Sequence, residues 1–244
     1  MQNLLESVKE NISFLLVCIA IIAGIIIVAS LAQKFLCKTA PKRRGAQYVV
    51  FVAVFAAIAG VLMLLEIPLF FAPSFYKLDL SEVPVLMCSF YMGPVAGVVC
   101  ELIKVIIKLL LKGTTTAFVG DFANFAVGCA FVLPASVIYH CKKSKKSAII
   151  GMAAGTAVMT VFGSLFNAVY LLPKFSQLFG LPLDAIVAMG TSVNGAINSV
   201  STLVLFAVVP FNLLKGIVVS VITFLLYKRL EPIFFRSPSK QAAQ

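Results

Sequence analysis

Residues Ile12–Ala32 read ISFLLVCIAIIAGIIIVASLA and Tyr48–Leu65 read YVVFVAVFAAIAGVLMLL, which makes 21 and 18 consecutive positions without a charged side chain. An α-helix needs about 20 apolar residues to cross the roughly 30 Å hydrocarbon core of a bilayer, and neither run alternates polar and apolar as a membrane β-strand must. Each run therefore predicts a transmembrane helix. The rest of the chain has the same character: 244 residues, 61% hydrophobic and 12% charged, with a mean hydropathy of +1.06. Soluble domains are about 45–50% apolar and about 25% charged. The composition predicts an all-α integral membrane protein of six or seven spans, with no room for a soluble catalytic domain.

Ser30-x-Ala32 resembles a signal-peptide cleavage site, but the apolar run before it is longer than a typical signal core, and Glu6 and Glu10 accompany a single Lys9 ahead of it. Cleavage would also strand the basic 34–44 stretch outside. The run is read as a retained extra helix, N-terminus outside. Thirteen of the 20 basic residues fall into three groups: Lys34, Lys38, Lys42, Arg43 and Arg44; Lys142, Lys143, Lys145 and Lys146; and Lys228, Arg229, Arg236 and Lys240. The positive-inside rule places all three in the cytoplasm. The net charge of +11 is thus a record of topology, and no nucleic-acid partner is expected.

From Tyr48–Leu65 the chain passes through an irregular outer stretch, residues 70–84, and returns inward to Met92. It turns at Gly93-Pro94 and runs out to Lys112-Gly113. A span from Val119 to Tyr139 goes in, Ala148 to Leu172 goes out, and Pro210 to Tyr227 goes in. The segment 182–209, broken by Gly190, Asn194, Gly195 and Asn198, reads as a long outer loop with partly helical, re-entrant structure. Three parts result: residues 1–44 as an extra helix and basic linker, 45–230 as a six-helix membrane domain, and 231–244 as a cytoplasmic tail. The six cysteines form no C-x-x-C pair, and the single histidine, His140, lies beside the cytoplasmic lysines, where an interfacial residue is expected. No metal site or histidine-based acid–base chemistry follows from this set.

Polar side chains within spans cost about 2.5–3.5 kcal/mol each on insertion scales, so they normally face a cavity or one another. Glu101, Lys104 and Lys108 share one helix face, suited either to an internal ion pair or to contact with a substrate or partner. Asp121 is expected to cap the following helix. Asn124, one turn further on, points to a polar cavity or an interhelical hydrogen bond. Asn167, Asn212 and Lys215 lie at one membrane level near the outer loop, and Asn212 and Lys215 share a face. Ala53-x-x-x-Ala57 and Ala56-x-x-x-Gly60 are small-residue faces that permit close helix approach.

Several ordered blocks resemble one family. They are Phe75-Tyr76-Lys77-Leu78-Asp79-Leu80-Ser81-Glu82-Val83-Pro84, Gly93-Pro94-x-x-Gly97 leading to Glu101-Leu102-Ile103-Lys104, Gly120-Asp121-Phe122-Ala123-Asn124-Phe125 with Phe131-Val132-Leu133-Pro134-Ala135, and Pro210-Phe211-Asn212-Leu213-Leu214-Lys215. Over about residues 46–230 the chain resembles the riboflavin-specific substrate-binding (S) components of bacterial energy-coupling factor (ECF) vitamin transporters; residues 1–40 are a departure. The resemblance implies a six-helix ECF S-component core preceded by one extra transmembrane helix, lying in the bacterial plasma membrane with the C-terminus cytoplasmic. It implies capture of riboflavin, with flavin mononucleotide (FMN) left open, on the outer face. It also implies delivery with a transmembrane coupling subunit (EcfT) and two ATPases (EcfA and EcfA'). Carried onto this sequence, Asn167, Asn212 and Lys215 bond the isoalloxazine edge, Leu78, Asp79 and Ser81 close over the ligand, and the Ala53/Ala57 face meets the coupling subunit.

The chemistry agrees with a flavin, because asparagine amides both donate and accept and lysine donates to a carbonyl. Nanomolar binding needs about −12 kcal/mol. Three hydrogen bonds at about 1 kcal/mol, or about 2 for a charged donor, cover a third of that. Burial of the ring, with Phe70, Phe71, Tyr76 and Phe166 as expected contacts, must supply most of the rest. The chain holds no P-loop, H-E-x-x-H, triad or paired-carboxylate pattern, so no enzyme and no resident cofactor are expected. The alternatives are an S component for another vitamin or precursor, such as thiamine or folate, or a stand-alone ion-driven transporter.

Overall fold

The computed structural model describes residues 2–37, 45–73, 75–114 and 118–234. The basic positions Lys38, Lys42, Arg43, Arg44, Arg236 and Lys240 lie outside the described residues. Among the described residues the bundle is built from α1 (Gln2–Phe35), α2 (Gly45–Leu64), α3 (Glu82–Met92), α4 (Pro94–Lys112), α5 (Val119–Cys141), α6 (Lys145–Phe166) and, after three short helices, α10 (Val209–Phe234). The short helices are α7 (Leu172–Phe179), α8 (Leu183–Thr191) and α9 (Val200–Leu203). Between α2 and α3, strands β1 (Ile67–Pro68) and β2 (Lys77–Leu78) pair antiparallel, Ile67 opposite Leu78. Among the described residues five helical stretches are long and apolar enough to cross a membrane: Leu16–Phe35, Gly45–Leu64, Val119–Cys141, Lys145–Gln177 and Val200–Tyr227. The protein is a multi-pass helical membrane protein.

Helix α4 has 19 residues, about 28 Å at 1.5 Å per residue. Its apolar record is broken by Glu101, Lys104 and Lys108, all buried inside the bundle. Gly93, at φ 104°, reverses the chain between α3 and α4, and Pro94 opens α4 where its missing N–H costs nothing. The close crossing of α5 and α6 rests on Gly151 and Gly155: a Cβ there would lie 2.6 Å from the Ala135 carbonyl oxygen and 2.5 Å from that of Phe131. Without a hydrophobic force between helices in lipid, such close backbone approach is a main source of packing energy.

The main core joins α2, α3, α4, α5, α6 and α10 around Phe90, Phe131, Tyr139, Met159 and Tyr227. Helix α1 lies on α4 and α5: Ile22, Ile25, Ile26 and Ala29 pack with Val98, Val105, Phe125 and Cys129. Near the end of α1, the Gln33 side chain accepts a hydrogen bond from the Val95 N–H at 3.2 Å, satisfying a donor in the first turn of α4.

The largest departure from the sequence reading is the segment 182–209. It contains α8, a turn over 192–199, and then the start of the last long helix, which begins at Val200 and not at Pro210. Ser199 and Thr202 form a capping box that starts it. Residues Val204–Val208 are a π turn, as are Asn167–Leu171, through which α6 continues into α7. Pro210 and Pro173 each stand four residues after the middle of these turns, Phe206 and Val169. A proline cannot bond the carbonyl four residues back and clashes with it, and the wider π turn relieves that clash without breaking the helix.

Two smaller expectations are also corrected. His140 is fully buried, its Nε2 3.0 Å from the carbonyl oxygen of Ser89, an acceptor in the last turn of α3. Part of the stretch read as irregular, residues 70–84, pairs with Ile67–Pro68 as a hairpin and then opens α3 at Glu82.

Candidate functional site

At the bundle end where α2 finishes and α5 begins lies a cavity of about 540 Å³, within the roughly 300–1,000 Å³ usual for small-molecule sites. Its wall comes from the end of α2 and the residues just after it (Met63, Glu66), the hairpin (Phe75, Lys77, Asp79), the last turns of α4 (Lys108, Lys112) and the first turns of α5 (Gly120, Asp121, Asn124). Phe175, Leu181, Ile186 and Met189, from the region of α7 and α8, complete it. These short helices and the hairpin share a separate apolar cluster, Ala72, Leu172, Ile186, Val187, Ile197 and Leu203, packed with Phe71 and Tyr76. The cavity end is thus capped by the hairpin and the short helices, which meet in this cluster.

Charge at this end is arranged on two levels. At the half-exposed rim, Glu66 Oε2 accepts from Lys112 Nζ at 2.7 Å and from Lys77 Nζ at 2.9 Å. Burial works to raise the Glu66 pKa, but the hydrogen bonds and charges of Lys112 and Lys77 outweigh it and hold the carboxyl below its usual range. Lower in the wall, Lys108 Nζ lies 2.6 Å from Asp121 Oδ1 and 3.1 Å from the Gly113 carbonyl oxygen, and Thr114 Oγ1 donates to Asp121 Oδ2 at 2.7 Å. Asp121 is therefore not the helix cap expected of it: a nearby ammonium offers a stronger, charge-assisted bond than backbone N–H groups.

Beneath the hairpin is a buried cluster. Lys215 Nζ lies 3.0 Å from Asp79 Oδ2 and 3.6 Å from Glu82 Oε1; Lys104 Nζ lies 3.0 Å from Glu82 Oε1 and 2.5 Å from Glu101 Oε2. The spacing of Glu101 and Lys104 is the internal ion pair open in the sequence reading, whereas Lys108 turns to Asp121. Asp79 Oδ1 also accepts from the Ser81 N–H at 3.0 Å and from the Ser81 hydroxyl. Burial opposes ionisation of Asp79, and the Lys215 ammonium overcomes it, holding the carboxyl below its usual range.

Among the residues singled out from sequence, Asp79 and Asn124 line the cavity, and Asn124 Oδ1 is buried without a hydrogen-bond partner. Leu78 is buried on β2, and Ser81 is buried just before α3. Asn167, Asn212 and Lys215 are buried and do not line the cavity; Asn167 and Asn212 both meet Gly163. Tyr76 donates its hydroxyl to Asn167 Oδ1 at 2.7 Å, with its ring 5.4 Å from that of Phe211, and Asp79 covers Lys215. Asn167 donates to the Gly163 carbonyl oxygen at 2.8 Å, while Asn212 is buried against Gly163 with no partner for its Nδ2. Of the aromatics expected around a ring, Phe70 is 91% exposed and Phe166 stacks between Phe162 and Tyr170, while the aromatic wall is Phe75 and Phe175. On α2, Ala53 and Ala57 face outward, and Ala56, Ala59 and Gly60 face inward, Gly60 against Ile107.

Glu66, Lys77, Lys112 and Glu82 escaped the sequence reading. The signal for Glu82 was present: it is the one acidic residue opening an otherwise apolar stretch. Among the described residues no group of three or more His, Cys, Asp and Glu side chains is arranged to hold a metal ion.

A bundle of membrane helices with a ligand-sized cavity at one end, walled by paired charges and the Asn124 amide, defines a membrane substrate-binding protein. Residues 47–227 match the family described as ECF transporter, substrate-specific component, and the chain belongs to that family. It is 37% identical to the riboflavin transporter RibU of Staphylococcus aureus over 73% of this chain and 87% of that protein. It is 33% identical to the riboflavin transporter FmnP of Bacillus subtilis over 75% of this chain and 91% of that protein. A solved S component of a bacterial ECF transporter superposes with a TM-score of 0.61 at 36% identity, covering 78% of this chain and 98% of the other. These are transporters, and the role of the chain is transport, not catalysis. All of α1 lies ahead of the family match, which begins at residue 47.

Proposed function

We propose that this chain is the riboflavin-binding subunit of an ECF-type importer in a bacterial plasma membrane. The observation that carries the reading is the pair of relatives named riboflavin transporters, each matched over 87% or more of its length. The cavity faces outside, because the lysines at 142–146 and after Tyr227 lie at the opposite ends of their helices and belong in the cytoplasm. The N-terminus is then outside and the C-terminus cytoplasmic. Residues 45–230 act as the binding unit, 1–44 as an added helix and linker, and 231–244 as a cytoplasmic tail.

Riboflavin enters between hairpin and α7–α8, and its ring is buried beside Phe75 and Phe175. Asn124, Asn167, Asn212 and Lys215 bond its polar edge, while Leu78, Asp79 and Ser81 close over it. Support comes from the amide atoms Asn124 Oδ1 and Asn212 Nδ2, buried with hydrogen-bonding capacity unspent: an unmet buried polar group costs about 1–3 kcal/mol, which a ligand recovers. At the rim, two ammoniums share one carboxylate, a surplus positive charge that suits the phosphate of FMN as a second ligand. The outward Ala53/Ala57 face receives EcfT, and EcfA and EcfA' supply the energy by hydrolysing ATP. Riboflavin is cargo, and no resident cofactor is needed.

Protein purified in detergent is expected to be yellow, with bound flavin fluorescence quenched. A colourless protein that gives no calorimetric signal with added riboflavin overturns the proposal. Mass spectrometry of the extracted ligand separates riboflavin from another vitamin.

A further inference from the structure

Lys215 has two counter-ions on different parts of the molecule. Asp79, at 3.0 Å, follows β2 on the hairpin; Glu82, at 3.6 Å, is in the first turn of α3. Helix α3 is buried along nearly its whole length, and Glu82 is tied to Lys104 at 3.0 Å, which is tied in turn to Glu101 at 2.5 Å. All five side chains are buried.

Access of a ligand to Lys215 requires Asp79 to move, since its carboxylate stands on the ammonium. A buried ammonium stripped of its only carboxylate is strongly unfavourable, so a site that exposed Lys215 in this way would lose the lysine's geometry as it opened. The geometry points to Glu82 as a positioning residue for ligand binding: its carboxylate, 3.6 Å from the ammonium, keeps Lys215 in place while Asp79 leaves with the hairpin, and Lys104 and Glu101 hold Glu82 still. Asp79 is then the exchangeable counter-ion and Glu82 the permanent one. The charged groups around Lys215 are Asp79 from the hairpin, Glu82 from α3 and Lys104 from α4; Lys104 repels it, which makes the fixed carboxylate between the two lysines necessary. This inference rests on the reading above that Lys215 bonds the flavin.

The test is a double-mutant cycle on riboflavin affinity, read by flavin fluorescence quenching, with Glu82→Gln, Lys215→Met and both together. Glu82→Gln is expected to weaken binding about tenfold in the parent protein and less than about twofold in the Lys215→Met background, the non-additivity of a residue acting through another. Glu82→Asp, which keeps the charge, is expected to restore affinity to within about threefold of the parent. Equal weakening in both backgrounds means that Glu82 only supports packing and overturns the inference, as does an unchanged affinity for Glu82→Gln. Should that variant not fold, Lys104→Gln, which removes the anchor of Glu82, goes through the same cycle with the same two outcomes. A Lys215→Met protein that binds like the parent removes Lys215 from the site, and so fails the functional reading instead.

Discussion

At the basic end of the bundle, the rings of Phe90 and Tyr139 lie 4.6 Å apart and the hydroxyls of Tyr139 and Tyr227 bond at 3.1 Å. At the cavity end, the opposite portions of α4, α5 and α10 carry Lys108, Asp121 and Lys215. The two ends share helices but differ in how their polar groups are met. At the basic end, His140 and Ser136 find acceptors on the backbone and packing closes around them, and among the unmet groups on the way there are two small hydroxyls of α10, Ser220 and Thr223. At the cavity end charges pair with charges mostly from other elements, two amide atoms are left unmet, and the hairpin and short helices cover the result. A polar group satisfied by its own chain contributes to the fold, whereas the amides left unmet at the cavity end keep hydrogen-bonding capacity where charges are already gathered.

Three substitutions or conditions break or sharpen this comparison. Gly155→Val, at the crossing of α5 and α6, is expected to have the largest effect, because a Cβ there meets the Phe131 carbonyl oxygen at 2.5 Å and its ring at 2.9 Å. Overpacking costs about 1–3 kcal/mol and occasionally more, so the yield of monodisperse protein from size-exclusion chromatography should fall far below that of the parent. Recovery of parent-like yields would show that this crossing tolerates what its geometry forbids. Asn212→Ala comes next: riboflavin binding should weaken about tenfold, while the melting temperature of the unliganded protein holds or rises, since an unmet buried amide is removed. A clear fall in that temperature would place Asn212 with the structural groups and erase the contrast.

The smallest effect is the pH response. Glu66 and Asp79 both titrate below their ordinary ranges, which are about 4.3 and 3.9. A depressed carboxylate contributes its stabilisation fully above the ordinary value and loses it as the pH falls through the lower folded-state value. Riboflavin affinity should therefore change less than about twofold between about pH 8 and about pH 5. A loss of affinity starting above about pH 5 would mean that neither ion pair sets the acid limb.

The sequence reading was most secure where the signal is local. Val119 opens its helix and Lys112 closes another within the expected bounds because apolar runs, Gly93-Pro94 and Gly113 act on their immediate neighbours. It failed at Val200–Val209, where glycines and asparagines upstream resemble a loop, while the capping box of Ser199 and Thr202 quietly starts a helix. It failed at His140, whose acceptor, Ser89, lies 51 residues away. Among candidate site residues, Asn167, Asn212 and Lys215 were legible as costly polar groups in apolar helices. Their covering by Tyr76 and Asp79 was not, since a hairpin's docking leaves no periodic trace.

By itself the sequence determined that the chain is helical and embedded in a membrane, where its main helices run, and which few polar residues must have a reason to be there. These follow from transfer energies and backbone geometry, which act residue by residue. Only the tertiary structure decided which charge meets which. It placed Lys104 between Glu82 and Glu101, gave Lys215 one counter-ion on the hairpin and another in the bundle, and turned Ala56 and Gly60 inward while leaving Ala53 and Ala57 outside. Pairing depends on which helices become neighbours and at what rotation, and those are properties of the packed bundle.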